Sequence, residues 1–196
     1  MSAVPKPLLT PHEYLARERL AETKSEYLRG EMFAMSGASR EHNLIATNVS
    51  AELRQQLRER PCEVYQADMR VNVRPTGLYT YPDVTVVCGE PRFEDAEVDT
   101  LLNPTVLVEV LSPSTADYDR GGKFAHYRRL ESLREYVLIS QDRSLVEHYV
   151  RQGADQWLLT EQRGLGAKLV LASIACRIAL EEIYLKVQFA ATDEES

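Results

Sequence analysis

The sequence predicts an α/β domain built on a mixed central sheet, with flanking helices and a C-terminal strand meander. Three observations carry this: apolar residues at helical spacing between 39 and 60, a series of short β-branched runs between 62 and 111, and alternating helix and strand signals after that. The chain has 196 residues, 44% of them hydrophobic and 27% charged, which fits one globular domain and excludes collagenous, low-complexity and wholly disordered chains. We assign residues 1–190 to that domain and 191–196 to an acidic, disordered tail.

In chain order, Thr10-Pro11-His12-Glu13 combines a capping residue, a proline suited to the first helical turn and a glutamate that can close a capping box. A helix to about Ala21 follows. Gly30, between two short runs containing aromatic residues in 26–35, reads as a hairpin turn. Ser39 opens a longer helix in which Leu44, Ile45, Val49, Leu53 and Leu57 share a face, and Pro61 supplies its stop. Val64-Tyr65, Met69–Val73, Val84–Val87 and Val106–Val108 then read as strands of one sheet, punctuated by Pro75, Gly77, Gly89 and Pro104. Beyond Pro113, Ser114 or Thr115 can cap a helix running to about Leu133. Strands are expected at 136–139, 145–150, 156–160 and 169–171, where the meander covers a sheet edge or forms a homodimer contact, and a last helix at 180–187. No internal repeat, linker or second domain is visible.

The formal net charge is −7, which argues against a protein that coats polyanions non-specifically. That acidity is concentrated. Segment 90–99 carries −4 and Asp193–Glu195 carries −3, so the remainder is formally neutral and local basic surface is left free. Cys62, Cys88 and Cys176 form neither a CxxC nor a Cys/His ligand pattern, so neither a disulfide framework nor a zinc site is expected. With no apolar run near the roughly 20 residues of a membrane span and no signal-peptide core at the start, the expectation is a cytoplasmic protein without a membrane segment.

Two carboxylates stand where an unpaired charge is expensive. Glu109 interrupts Val106-Leu107-Val108-Glu109-Val110-Leu111, a run that reads as a strand buried on both faces. Such a residue needs a cation or a proton. Asp83 follows Pro82 at the head of Val84-Thr85-Val86-Val87, and two carboxylates on neighbouring strands make a hard-oxygen site suited to Mg²⁺ or Mn²⁺. The ordinary explanations are a strand cap for Asp83 and an ion pair with an arginine for Glu109. Lys123, on the helix after the Glu109 strand, tips the balance, because it can return over that strand and stabilise charge developing on a phosphate.

These residues carry a resemblance. Tyr81-Pro82-Asp83-Val84, Val108-Glu109-Val110-Leu111-Ser112-Pro113-Ser114-Thr115, Asp119-Arg120 through Lys123 and Glu135-Tyr136-Val137-Leu138 together resemble the Uma-type putative restriction endonuclease family of the PD-(D/E)XK nuclease superfamily. The likeness spans roughly Thr10 to Lys186 and takes in the Glu26–Glu31 hairpin and His42 on the long helix. It implies a restriction-endonuclease-like fold, with Asp83, Glu109 and the Val110 carbonyl holding one Mg²⁺ or Mn²⁺ ion and Lys123 orienting the attacking water. Glu26 and His42 are implied as residues lining the site. The superfamily places its lysine two residues after the second acid, where this chain has Leu111, so the resemblance implies that the lysine function has moved to Lys123.

The remaining motifs are weaker. Gly121-Gly122-Lys123 lacks the first glycine and the hydroxyl residue of a phosphate-binding loop, Gly164-Leu165-Gly166 reads as a hairpin turn, and the serines around Pro113 lack a nucleophile elbow. The helix face bearing Arg120, Arg128 and Arg129 is locally basic and is expected to contact a nucleic-acid backbone without reading bases. The expected activity is metal-dependent hydrolysis of phosphodiester bonds in DNA. The rivals are a non-catalytic nucleic-acid or protein binding module that keeps the fold, and a phosphoesterase acting on a small nucleotide.

Overall fold

The computed structural model describes residues 8–189, and the tail assigned to 191–196 lies outside them. The predicted capping box forms. Thr10 accepts the Glu13 N–H while Glu13 accepts the Thr10 N–H, opening α1 (Pro11–Glu18). The hairpin follows as β1 (Ser25–Leu28) and β2 (Glu31–Ala34), with Arg29 and Gly30 both at positive φ in its turn. Helix α2 (Arg40–Leu57) starts at Ser39, whose hydroxyl accepts the His42 N–H, and its buried stripe of Ile45, Val49, Leu53 and Leu57 is the one read from the spacing.

The strands between 62 and 111 divide between two sheets rather than forming the single sheet expected. β3 (Cys62–Gln66), β6 (Val84–Cys88) and β8 (Val106–Leu111) lie in a six-stranded sheet. β4 (Arg70–Val73) folds instead onto β5 (Leu78–Thr80) through a turn at Gly77, into a five-stranded sheet that also holds β1, β2 and β7 (Thr100–Leu101). Local pattern identified β4 as a strand but carried nothing on its partner. That choice is made by Val71 and Val73, which pack with Leu107 and Leu138 at the junction of the two sheets.

The six-stranded sheet is completed by β9 (Glu135–Ser140), β10 (Leu145–Arg151) and β11 (Trp157–Arg163), in the order β11-β10-β9-β8-β6-β3. Only β8 and β9 run parallel within it. β11 is therefore itself an edge, exposing Leu158 and Leu159. Antiparallel β12 (Lys168–Leu171) and β13 (Cys176–Ala179) and the short α5 (Leu180–Ile183) close over α2, and α5 ends well before the expected 187.

Between β8 and β9 the chain forms one helical stretch from α3 (Ala116–Tyr118), through a π-helical turn at Asp119–Lys123, to α4 (Phe124–Tyr127). It stops short of the expected Leu133. The Arg128, Leu130 and Leu133 carbonyls are taken by the Arg151 guanidinium from β10, which fixes the following loop in place of further helical turns. The sheet is thus covered on one face by α2 and the C-terminal hairpin and on the other by this stretch and the second sheet. The acidic 90–99 segment is partly used up structurally, since Arg19 pairs with Asp95 and Asp99.

The cysteine expectation is corrected. Cys62 and Cys88 form a disulfide. Antiparallel pairing of β3 with β6 sets the two directly opposite, with Cα atoms 4.0 Å apart, a register that their separation in sequence does not reveal. The cysteines therefore lend no support to the cytoplasmic expectation. Among the described residues, no helix is long and apolar enough to cross a membrane.

Candidate active site

Val84 lies opposite Val108 in the β6–β8 register, which sets Asp83, at the head of β6, beside Glu109. Val106, Val108 and Val110 face α2, whereas Leu107 and Leu111 face the helical stretch, so by alternation Glu109 shares that second face. Asp83 is held from two directions. Its Oδ2 accepts the Val110 N–H at 2.7 Å and its Oδ1 lies 2.8 Å from His42 Nε2, both side chains being 16% exposed. Val110, nominated for its carbonyl, thus also fixes Asp83 through its amide.

Glu109 is nearly sealed, with 4% of its side chain exposed. Its Oε1 accepts the Tyr127 hydroxyl at 2.7 Å and the Lys123 ammonium at 3.2 Å. The same ammonium lies 3.2 Å from Glu26 on β1 and 3.3 Å from Asp119. Glu26 in turn accepts the Thr80 hydroxyl at 2.5 Å. The structure therefore brings Glu26, His42, Asp83, Glu109 and Lys123 into one cluster.

The π-helical turn positions the lysine. Widening the helix there turns Asp119 and Lys123 inward together, and both are buried. Gly122 is needed for a close approach: a Cβ on it would fall 2.6 Å from the Tyr118 ring, which packs over the cluster with its hydroxyl 3.4 Å from Glu26. Of the Gly-Gly pair that superficially resembles a phosphate loop, Gly122 is thus a packing device, whereas a Cβ on Gly121 would meet open space.

Four carboxylates, Glu26, Asp83, Glu109 and Asp119, meet one lysine and one histidine. Burial first, then the charges of Asp119 and Asp83, push the Glu109 carboxyl well above its ordinary range, against the opposing pull of Lys123. Burial likewise raises Asp119. Burial alone would lower Lys123, but Glu109, Glu26 and Asp119 outweigh it and raise the ammonium well above its usual value, so Lys123 stays charged. The cluster is short of positive charge, and burial favours the protonated form of both carboxyls.

That deficit is the test of a divalent ion, and the residues fit. Carboxylate oxygens with an excess of buried negative charge suit Mg²⁺ or Mn²⁺, which need only one or two carboxylates because water completes their shell. No group of three or more His, Cys, Asp or Glu side chains among the described residues forms a ready-made cage. The ligands to consider are accordingly Asp83 and Glu109 with the Val110 carbonyl.

The basic residues are not gathered here. Arg120 makes a two-pronged bridge to Glu147 on β10, at 2.6 and 2.8 Å. Arg128 and Arg129 follow α4 at the start of β8 and β9, the other end of those strands from Glu109. Asp119, Tyr127, Tyr118 and Thr80 were not foreseen as members of the cluster. For the first two a signal existed, since 119, 123 and 127 are four residues apart and lie on one helical face.

With the geometry in place, the comparisons are specific. Residues 11–181 match the family described as Uma2: Putative restriction endonuclease, and the chain belongs to that family. Two proteins of Synechocystis sp. are similar along most of their length. One, "Uncharacterized protein sll1609", is 42% identical over 162 residues, 83% of this chain and 92% of that protein. The other, "Uncharacterized protein slr1290", is 35% identical over 187 residues, 95% and 97% of the two chains. The crystal structure of "a putative nuclease belonging to DUF820" from Anabaena variabilis superposes with a TM-score of 0.71 over 90% of this chain and 97% of that one; at 18% identity it speaks for the fold, which is restriction-endonuclease-like.

Proposed function

We propose that the protein is a metal-dependent endonuclease that hydrolyses phosphodiester bonds in DNA, using Asp83, Glu109 and Lys123. The observation that carries this is Glu109, 4% exposed on an otherwise apolar strand, with Lys123 at 3.2 Å and Asp83 at the head of the adjoining strand. In this reading Asp83, Glu109 and the Val110 carbonyl hold one Mg²⁺ or Mn²⁺. Such an ion, when bound, supplies Lewis-acid stabilisation of charge on the phosphoryl oxygens.

The chain's own residues do the rest. His42 and the Val110 amide fix the Asp83 carboxylate, and Tyr127 fixes Glu109 through its hydroxyl. Lys123 holds a permanent positive charge where water and a scissile phosphate would meet these carboxylates, orienting the nucleophile. Leu111, in the superfamily's usual lysine position, is buried in the core, and Lys123 reaches Glu109 from the helix in its place.

Purified protein is incubated with single-stranded, duplex and branched DNA under Mg²⁺ or Mn²⁺. Cleavage that disappears in Asp83→Ala supports the reading, and cleavage surviving that substitution overturns it. A binding module that keeps the fold, the reading favoured by Leu111, would instead retain DNA without cutting it.

A further inference from the structure

A second charged feature lies apart from the carboxylates. The loop after α4 and the β10–β11 hairpin border an open, solvent-facing cavity of about 570 Å³ whose walls carry Arg128, Arg129, Arg134 and Arg151 against only Glu131 and Asp155. A contiguous recess of about 180 Å³ adds Trp157. Arg134 donates its N–H to the Thr105 carbonyl just before β8, and Arg151 donates its own to the Arg134 carbonyl. The cavity therefore sits at the start of β8, about 10 Å along the strand from Glu109 at 3.3 Å per residue.

Its four arginines do different work. Arg151 is the frame: its guanidinium donates to the carbonyls of Arg128, Leu130, Leu133 and Ala154 and stacks 4.5 Å from the Trp157 ring. Arg128, Arg129 and Arg134 are exposed, and among the described residues none of the three makes an ion pair. A helix C-terminus accounts for one adjacent cation. It does not account for Arg134, which comes from beyond the loop. Burial first, then the Arg134 charge, hold Arg151 below its ordinary value, against the opposing pull of Asp155 and Glu131.

We infer that this arginine cavity is a binding site for the phosphate groups of a nucleic-acid strand, engaged beyond the catalytic carboxylates. The inference rests on the nuclease reading. Exposed guanidinium groups converging on a concave surface, beside an indole already stacked with a cation, match how a strand's backbone is held without base reading. An acidic protein gains from confining its phosphate contacts to such a spot.

The test measures binding of a fluorescein-labelled single-stranded DNA oligonucleotide by anisotropy, in EDTA, across a salt series. Arg128→Gln, Arg129→Gln and Arg134→Gln are combined, leaving the framework Arg151 intact, and thermal melting checks the fold. Affinity is expected to fall about tenfold or more, and the salt slope to lose about 0.7 per phosphate contact removed. Unchanged affinity and slope would overturn the site, as would an equal loss when Arg54, Arg58 and Arg74 are replaced instead. Displacement by inorganic phosphate at equal phosphate concentration would make it a small-anion site and overturn the nucleic-acid assignment. The two readings fail separately. Normal binding by the triple variant beside intact wild-type cleavage removes only this site, whereas binding through the arginines without any cleavage removes only the nuclease reading.

Discussion

Lys123 Nζ lies 3.2 Å from Glu109 Oε1 and 3.2 Å from Glu26 Oε1, joining a strand of each large sheet through one ammonium. Asp119 adds a third carboxylate from the same helical turn. One cation among three acids is strained until further positive charge arrives, which is the condition in which a divalent ion binds at least cost.

Replacing the cation isolates those acids. Lys123→Met is expected to abolish cleavage and to lower stability by on the order of 3 kcal/mol at neutral pH, because removing one partner of a buried pair leaves uncompensated charge. The loss should shrink as the pH falls and the carboxylates take up protons. Urea unfolding at two pH values measures it, and a variant as stable as wild type at neutral pH would contradict the cluster's role.

Glu109→Gln should do the opposite to stability. The folded-state pKa of Glu109 lies above its unfolded value, so the folded protein holds the extra proton and stability falls as pH rises through that window. Glutamine removes that dependence while still accepting the Tyr127 hydroxyl. Without divalent ions the variant should melt higher than wild type at neutral pH, with the difference vanishing toward the ordinary glutamate pKa. Added Mn²⁺ should raise the wild-type melting temperature and leave the variant's unchanged; scanning fluorimetry reads both.

His42 acts through Asp83. His42→Ala leaves the carboxylate in place but removes the contact at 2.8 Å that orients it. A loss of about 10–100-fold in Mn²⁺ affinity or cleavage is expected, as for other groups that hold a metal ligand in position. Melting should barely change. An unaltered Mn²⁺ titration would argue that Asp83 is positioned by the Val110 amide alone.

The disulfide offers a test away from the site. Reducing Cys62–Cys88, or replacing both with alanine, reopens the loop joining β3 to β6, a separation of 26 residues, and should lower stability by about 2–4 kcal/mol. Thermal melts with and without reductant measure this, and superimposable melts would show that the crosslink adds nothing.

Much of this protein was legible as local pattern. The capping box at Thr10, the buried stripe of α2, the hairpin at Gly30 and the strand at 106–111 follow from periodicities of 3.6 and 2 and from cap and turn chemistry, which act over a few residues. The same reading picked out Glu109, because a charge inside an apolar strand is anomalous wherever the strand lies. Tertiary structure decided which strands pair. β4 left for the second sheet, Cys62 came to face Cys88, the 116–127 helical stretch stopped where Arg151 took the carbonyls of the loop beyond it, and Arg128 and Arg129 were carried to the far end of β8 from the carboxylates. Those outcomes depend on contacts between residues tens of positions apart, made where side chains from separate elements compete for one volume, and no spacing along the chain encodes them.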